Sequence, residues 1–138
     1  MIDLSTVEYN PFYGWYDTQT VFDGKKLVLA ISGQSGEARP ALEQRVGVVL
    51  AWLSDNLAVM RAYCADQLYQ TYLDGWVNDA HPVVSRERFM AALQLGAVRF
   101  HPDHSLTLTF LDGGVFWGHW VVVRLTPDYT PTQAYLEG

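Results

Sequence analysis

The fold is decided by Ser105-Leu106-Thr107-Leu108-Thr109-Phe110-Leu111-Asp112-Gly113-Gly114-Val115-Phe116-Trp117-Gly118-His119-Trp120-Val121-Val122-Val123-Arg124-Leu125. Residues 105–111 read as a strand bounded by turn signals on both sides. Asp112-Gly113-Gly114 then offers residues that tolerate a turn. Beyond it both alternating sets are bulky, Val115, Trp117, Val121 and Val123 against Phe116, Trp120 and Val122, which predicts a central strand over residues 115–125 covered on both sides. Upstream, residues 97–101 read as a strand turned back by Pro102-Asp103. Downstream, Pro127-Asp128 turns the chain into a short last strand over residues 132–136, so a meander results.

Toward the N-terminus, residues 12–18 and 25–32 are rich in aromatic or β-branched side chains and flank Asp23-Gly24, a hairpin signal. Leu27, Leu29 and Ile31 give the second strand its more apolar side. After the loop Gly33-Gln34-Ser35-Gly36, Pro40 stands where a first helical turn tolerates proline. Leu42, Val46, Val49, Leu50 and Leu53 then recur at helical spacing. Asp55 and Asn56 interrupt that helix and are expected to cap a second one, with Leu57, Met60, Cys64, Leu68 and Tyr72 as its stripe and Gly75 as its end. A third, shorter helix is signalled by Ser85 as N-cap, with Val84 and Phe89 at the spacing of a hydrophobic staple and Gly96 as its stop. The expected class is α+β, an antiparallel sheet of about five to six strands packed against a helical hairpin and a third helix, in a single globular domain over residues 1–138.

Hydrophobic residues make up 49% of the chain and charged ones 17%, which excludes a disordered polymer. Fifteen acidic against nine basic residues give a formal charge of -6, with no denser cationic run than Lys25-Lys26 or Arg86-Glu87-Arg88. Such a chain lacks a phosphate-backbone footprint, so nucleic acid is not an expected partner, whereas a basic protein would be attracted. The first residues show no basic-then-apolar leader, and the longest apolar runs, residues 46–53 and 115–123, fall short of the roughly 20 needed to span a bilayer. The lone cysteine, Cys64, excludes an internal disulfide and fits a reducing compartment, so a cytoplasmic location is expected.

His101-Pro102-Asp103-His104 gathers metal-ligand side chains, but Pro and Asp already have turn roles and no second cluster supplies further ligands, so it reads as a solvated turn. No metal and no cofactor are therefore expected. Cys64 falls on an apolar stripe, where thiols are inert, and neither a Gly-x-Ser-x-Gly elbow nor a phosphate loop is present. No catalytic residue is assigned. Asp66, Asp74 and Asp79 read as a solvated face. His119 lies in the most apolar segment, either hydrogen-bonded within the core or forming a site with Trp117, which Asp112 or Asp128 would complete.

Phe116-Trp117-Gly118-His119 follows a Gly-containing turn, and with residues 68–76, the helix over residues 85–95 carrying Phe89, and the terminal Ala134-Tyr135-Leu136-Glu137-Gly138 it resembles a bacterial family termed domain of unknown function 2262. The resemblance covers the second half of the chain and implies a small, stand-alone, intracellular bacterial domain with no catalytic assignment to carry over. Two functions are expected from this sequence. The first is a non-enzymatic protein-binding domain, an immunity-type protein that inhibits a cognate, basic toxin by direct binding. The alternative is a small enzyme or ligand-binding domain with a site around His119 and Trp117, drawing on Asp112 or Asp128.

Overall fold

The structure, a computed structural model, describes residues 2–138. Strand alternation sorts side chains onto two faces of one seven-stranded sheet built from β1 (Tyr9–Asn10), β2 (Trp15–Phe22), β3 (Lys25–Ser32), β4 (Gln94–Phe100), β5 (Leu106–Leu111), β6 (Trp120–Leu125) and β7 (Pro131–Glu137). The strands lie side by side in chain order. The class is α+β as the sequence predicts, with seven strands rather than five or six. The added strand is β1, whose two residues are too few to leave a periodic signal.

The hairpin forms where Asp23-Gly24 predicts it. Phe22 pairs with Lys25, and the two loop residues take φ 52° and 74°, the left-handed pair a tight hairpin turn needs. Its first strand starts at Trp15, not at residue 12, because Asn10 folds the preceding segment into a turn. The Asn10 side chain accepts hydrogen bonds from the Phe12 and Tyr13 amides at 3.0 and 3.3 Å.

The helical hairpin is replaced by one unbroken helix, α1 (Arg39–Gly75). Leu42, Val46, Val49, Leu53, Leu57, Met60, Cys64, Leu68 and Tyr72, all buried, follow one another in steps of three or four across the supposed break. Asp55 lies on the exposed side, and Asn56 bonds back to the Trp52 carbonyl at 2.8 Å. Each costs only about half a kcal/mol in a helix interior, too little to interrupt a stripe whose burial gains several times that per residue. The short helix α2 (Arg86–Ala92) does begin at Ser85, whose hydroxyl accepts from the Arg88 amide at 3.2 Å, and Phe89 is buried. It ends before Gly96, because Leu93 is already extended and β4 starts at Gln94. Gly96 instead sits in a bulge between Leu95 and Ala97.

The purely antiparallel sheet is corrected at one seam. β3 and β4 run parallel, from Val28 opposite Ala97 to Ile31 opposite Phe100, because the helical connection carries the chain back to the end of the sheet at which β3 began. One sheet face carries Leu27, Leu29, Ile31, Val98, Phe100, Leu106, Leu108, Phe110, Val121 and Val123, all at most 1% exposed, and this face joins the α1 stripe in one core. No helix among the described residues is long and apolar enough to cross a membrane.

The continuous helix makes a prediction whose sign decides it. Replacing Asp55 by Ala should raise stability by about 0.5 kcal/mol in urea unfolding, since Ala is the better interior helix residue. A true N-cap at that position would make the same change cost about 1 kcal/mol. Leu53→Ala, at a fully buried position, should cost about 2 to 5 kcal/mol.

Candidate functional site

Between β5 and β6 the chain is wound around one carboxylate. Asp112 is only 6% exposed, and its Oδ1 accepts from the Gly114 amide at 3.0 Å. Its Oδ2 accepts from the amides of Phe116 and Gly118 at 2.9 and 2.8 Å. Three charge-assisted bonds draw alternate amides toward one point, which curls the backbone instead of letting it extend. Positive φ values at Gly113, Gly114, Trp117 and Gly118 complete the curl. The strand expected over residues 115–125 is thus confined to Trp120–Leu125, and the Phe-Trp-Gly-His tetrad is a loop. At Gly113 an added Cβ would stand 2.5 Å from the Ala92 carbonyl oxygen, so this position requires glycine for space as well as for φ.

Each residue of the tetrad has a distinct place. Phe116 is fully buried against Tyr72, Trp76 and Phe89. Trp117 points outward at 47% exposure, yet it is held on two sides, by the Trp76 ring with centroids 4.8 Å apart and by His81 at 5.3 Å. Its indole Nε1 donates to the Trp76 carbonyl at 3.2 Å. Gly118 takes φ 92°. His119 is half-buried under Trp76, ring centroids 5.1 Å apart, and its Nδ1 lies 2.7 Å from the Phe116 carbonyl. A carbonyl only accepts, so Nδ1 is the donor in this contact. The loop over residues 77–84 that brings His81 here is anchored by α1, where Tyr69 Oη donates to the Val84 carbonyl at 2.8 Å and Tyr72 Oη accepts from the Val84 amide at 2.9 Å.

Of the residues singled out in the sequence, Trp117, His119 and Asp112 come together in this loop and Asp128 does not. Asp128 sits in the turn after β6, so one strand of roughly 20 Å separates it from His119. There it accepts from the Thr126 hydroxyl, and this bond, with a second from Thr130, lowers its pKa. Asp112 shares the loop with His119 but spends both oxygens on amides. The His101-to-His104 quartet diverges. His101 Nε2 meets the Thr107 hydroxyl at 2.7 Å, His104 Nε2 meets Glu37 at 3.2 Å, and Asp103 binds the Ser105 amide and hydroxyl. Of the acidic face, Asp66 pairs with Arg86 and Asp74 accepts from Gln70, while Asp79 is exposed. Burial pushes the Cys64 thiol up to about 12, which keeps it protonated and unreactive.

Sequence reasoning missed a second constellation on the sheet face turned away from α1. This face forms a depression of about 1060 Å³ into which Arg99 and Arg124 open. Both lie on the polar side of alternating strands, and only the register reveals that they flank Thr107 in one row. None of Asp112, Trp117 and His119 lines it.

Asp112→Ala should cost about 2 to 4 kcal/mol in urea unfolding, because three amides, that of Phe116 buried, lose a charged acceptor together. Limited chymotrypsin digestion of this variant should open the chain at Phe116 or Trp117 under conditions that leave the parent intact. Cys64 should resist an aromatic disulfide reagent at about pH 8 until denaturant is added.

The family described as "Uncharacterized protein conserved in bacteria (DUF2262)" matches the chain over residues 3–136, which extends the likeness well beyond the second half. No curated protein and no solved structure matches it. With the match running from the first turn to the last strand, the chain belongs to the bacterial family of domain of unknown function 2262.

Proposed function

We propose that the chain is a non-enzymatic binding protein of immunity type, a cytoplasmic domain that holds a cognate bacterial toxin and blocks it. The observation that carries this reading is the state of Trp117. A tryptophan at φ 56° stores about 1 to 2 kcal/mol of backbone strain, and its ring is nearly half exposed. Strain and exposure in one aromatic residue, with the indole fixed by Trp76 and His81, describe an anchor set in its binding pose before a partner arrives. Preorganisation matters because ordering a large side chain at an interface otherwise costs about 0.5 to 1.5 kcal/mol.

Acidic residues flank the supporting Trp76 in the chain. Asp74 in the last turn of α1 and Asp79 in the following loop bracket Trp76 in the chain, and both are exposed. A basic partner would be steered toward these charges and fixed by the aromatic centre. The buried, unpaired Cys64 fits a reducing compartment. His119 contributes by closing the loop beneath Trp76, a positioning role consistent with its bond to the Phe116 carbonyl.

The test is capture from the native bacterium with the tagged full chain, followed by reconstitution with the purified candidate and a growth assay of toxin with and without the chain. A toxin should be recovered and neutralised, and Trp117→Ala should weaken the pair by about 30-fold or more, the equivalent of a 2 kcal/mol hot spot. Phe12→Ala, exposed in the turn before β2, should leave affinity unchanged. A reconstituted pair indifferent to Trp117→Ala, or a chain that protects against no toxin encoded beside it, would refute the reading.

A further inference from the structure

We propose that the uncovered face of the sheet is a binding site for a small organic anion, a phosphate or carboxylate on a compact organic body, held by Arg99 and Arg124 on either side of Thr107. This goes beyond toxin binding and uses a different surface.

The register builds the site. Arg99 on β4 is the cross-strand partner of Thr107 on β5, and Thr107 is the partner of Arg124 on β6. The three lie in one row, and strand spacing puts the two arginine Cα atoms about 10 Å apart. Each guanidinium rests on a ring, Arg99 over Trp15 at 5.5 Å and Arg124 over Tyr135 at 5.5 Å. Such stacking fixes the plane of the fork and leaves its N–H edge for an oxyanion.

Among the described residues no carboxylate lies within ion-pair distance of either arginine. The ion pairs among the described residues join Arg45, Arg86 and His104 to carboxylates, and neither Arg99 nor Arg124 takes part in one. Asp17, Asp103 and Glu137 also line the depression, but Asp103 is committed to Ser105. The three carboxylates lie outside the Arg99–Thr107–Arg124 stretch of the row, so the positive potential is local to that stretch, where an oxyanion can meet both guanidiniums. His101 senses that field. It touches the Thr107 hydroxyl, and its pKa is lowered by burial first and then by Arg99, with Arg124 adding to the effect and Asp103 opposing it.

Shape selects the size of the ligand. Ala30, Ala97 and Thr109 keep the floor low, and the resulting volume of about 1060 Å³ suits an organic molecule rather than a bare ion. The anionic group would lie along the arginine row while the body covers the floor beside it, against Val28 and Tyr135.

The experiment is an amide NMR titration of the full chain at low salt with adenosine monophosphate, with citrate, and with uncharged adenosine as control. The phosphate and the carboxylate arms show which oxyanion the row prefers. At least one of the two anions should shift the amides of Arg99, Thr107 and Arg124 saturably, while adenosine and an equal ionic strength of sodium chloride do not. The double variant Arg99→Gln/Arg124→Gln, in which both positions are exposed, should keep a native spectrum and lose about tenfold or more in affinity. In the parent, saturating ligand should move the His101 titration midpoint upward, because a bound anion offsets the arginine field. The proposal is overturned if neither anion moves these amides by about 10 mM, if the double variant responds equally, or if the shifts follow protein concentration, as they would were the face covered by a second copy.

Discussion

The rest of the molecule depends on the burial of one apolar stripe, that of α1, against one face of the sheet. The stripe runs from Leu42 to Tyr72 without a missed step. A helix of 37 residues is about 55 Å long, so it spans the sheet and overshoots it. That length has two consequences. It makes the β3-to-β4 connection a crossover, which forces the one parallel pairing in an otherwise antiparallel sheet. It also delivers Trp76, the C-cap residue of α1, to the loop between β5 and β6, where its ring and carbonyl receive Trp117. A helix broken at Asp55 would have placed neither. With both helices on one side, the other sheet face is left open to solvent, which is why Arg99 and Arg124 can share a concavity.

Asp112 is the local counterpart of that global constraint. A buried carboxylate is tolerated only when its charge is met, and here three backbone amides meet it. The same bonds hold a tryptophan in a left-handed conformation that it would leave if free. Stability stored in the Asp112 bonds thus offsets strain at Trp117, and the buried Phe116 ties both to the core.

Local signals were legible in the sequence where the chemistry is local. Asp23-Gly24 makes the hairpin turn, the turn signals on either side of residues 105–111 bound β5, and Ser85 caps α2, each within a few residues of its cause. Three features were hidden because their causes are distant. Asp55 and Asn56 carry capping chemistry, but the packed stripe on either side outweighs it. Residues 115–119 are apolar at nearly every position, so periodicity cannot separate a doubly covered strand from a loop that packs its rings on α1. The decisive residue is Asp112, whose side chain reads as turn chemistry in the sequence and acts on amides up to six positions ahead. Arg99 and Arg124 stand 25 positions apart, and only strand register puts them in one row; the same register sends Asp128 to the far end of β6, away from His119.

The open face and the Asp112 loop are joined by one cross-strand pair. Leu111 and Trp120, the residues immediately outside the loop, are register partners at the meeting of β5 and β6. Their side chains fall on the uncovered face, in line with Thr109 and Thr107 on β5 and with Val122 and Arg124 on β6. A loop whose ends are fixed by a paired bridge has already met its closure cost in the sheet, so the Asp112 bonds need only shape the interior. The bridge is itself packed, since Trp120 pairs with Glu137, the last residue of β7, and its ring lies beside Gly138. Rigidity at Trp117 therefore comes from both faces at once: Phe116 and Trp76 hold the loop from the helix side, and the Leu111–Trp120 pair holds its base from the open side.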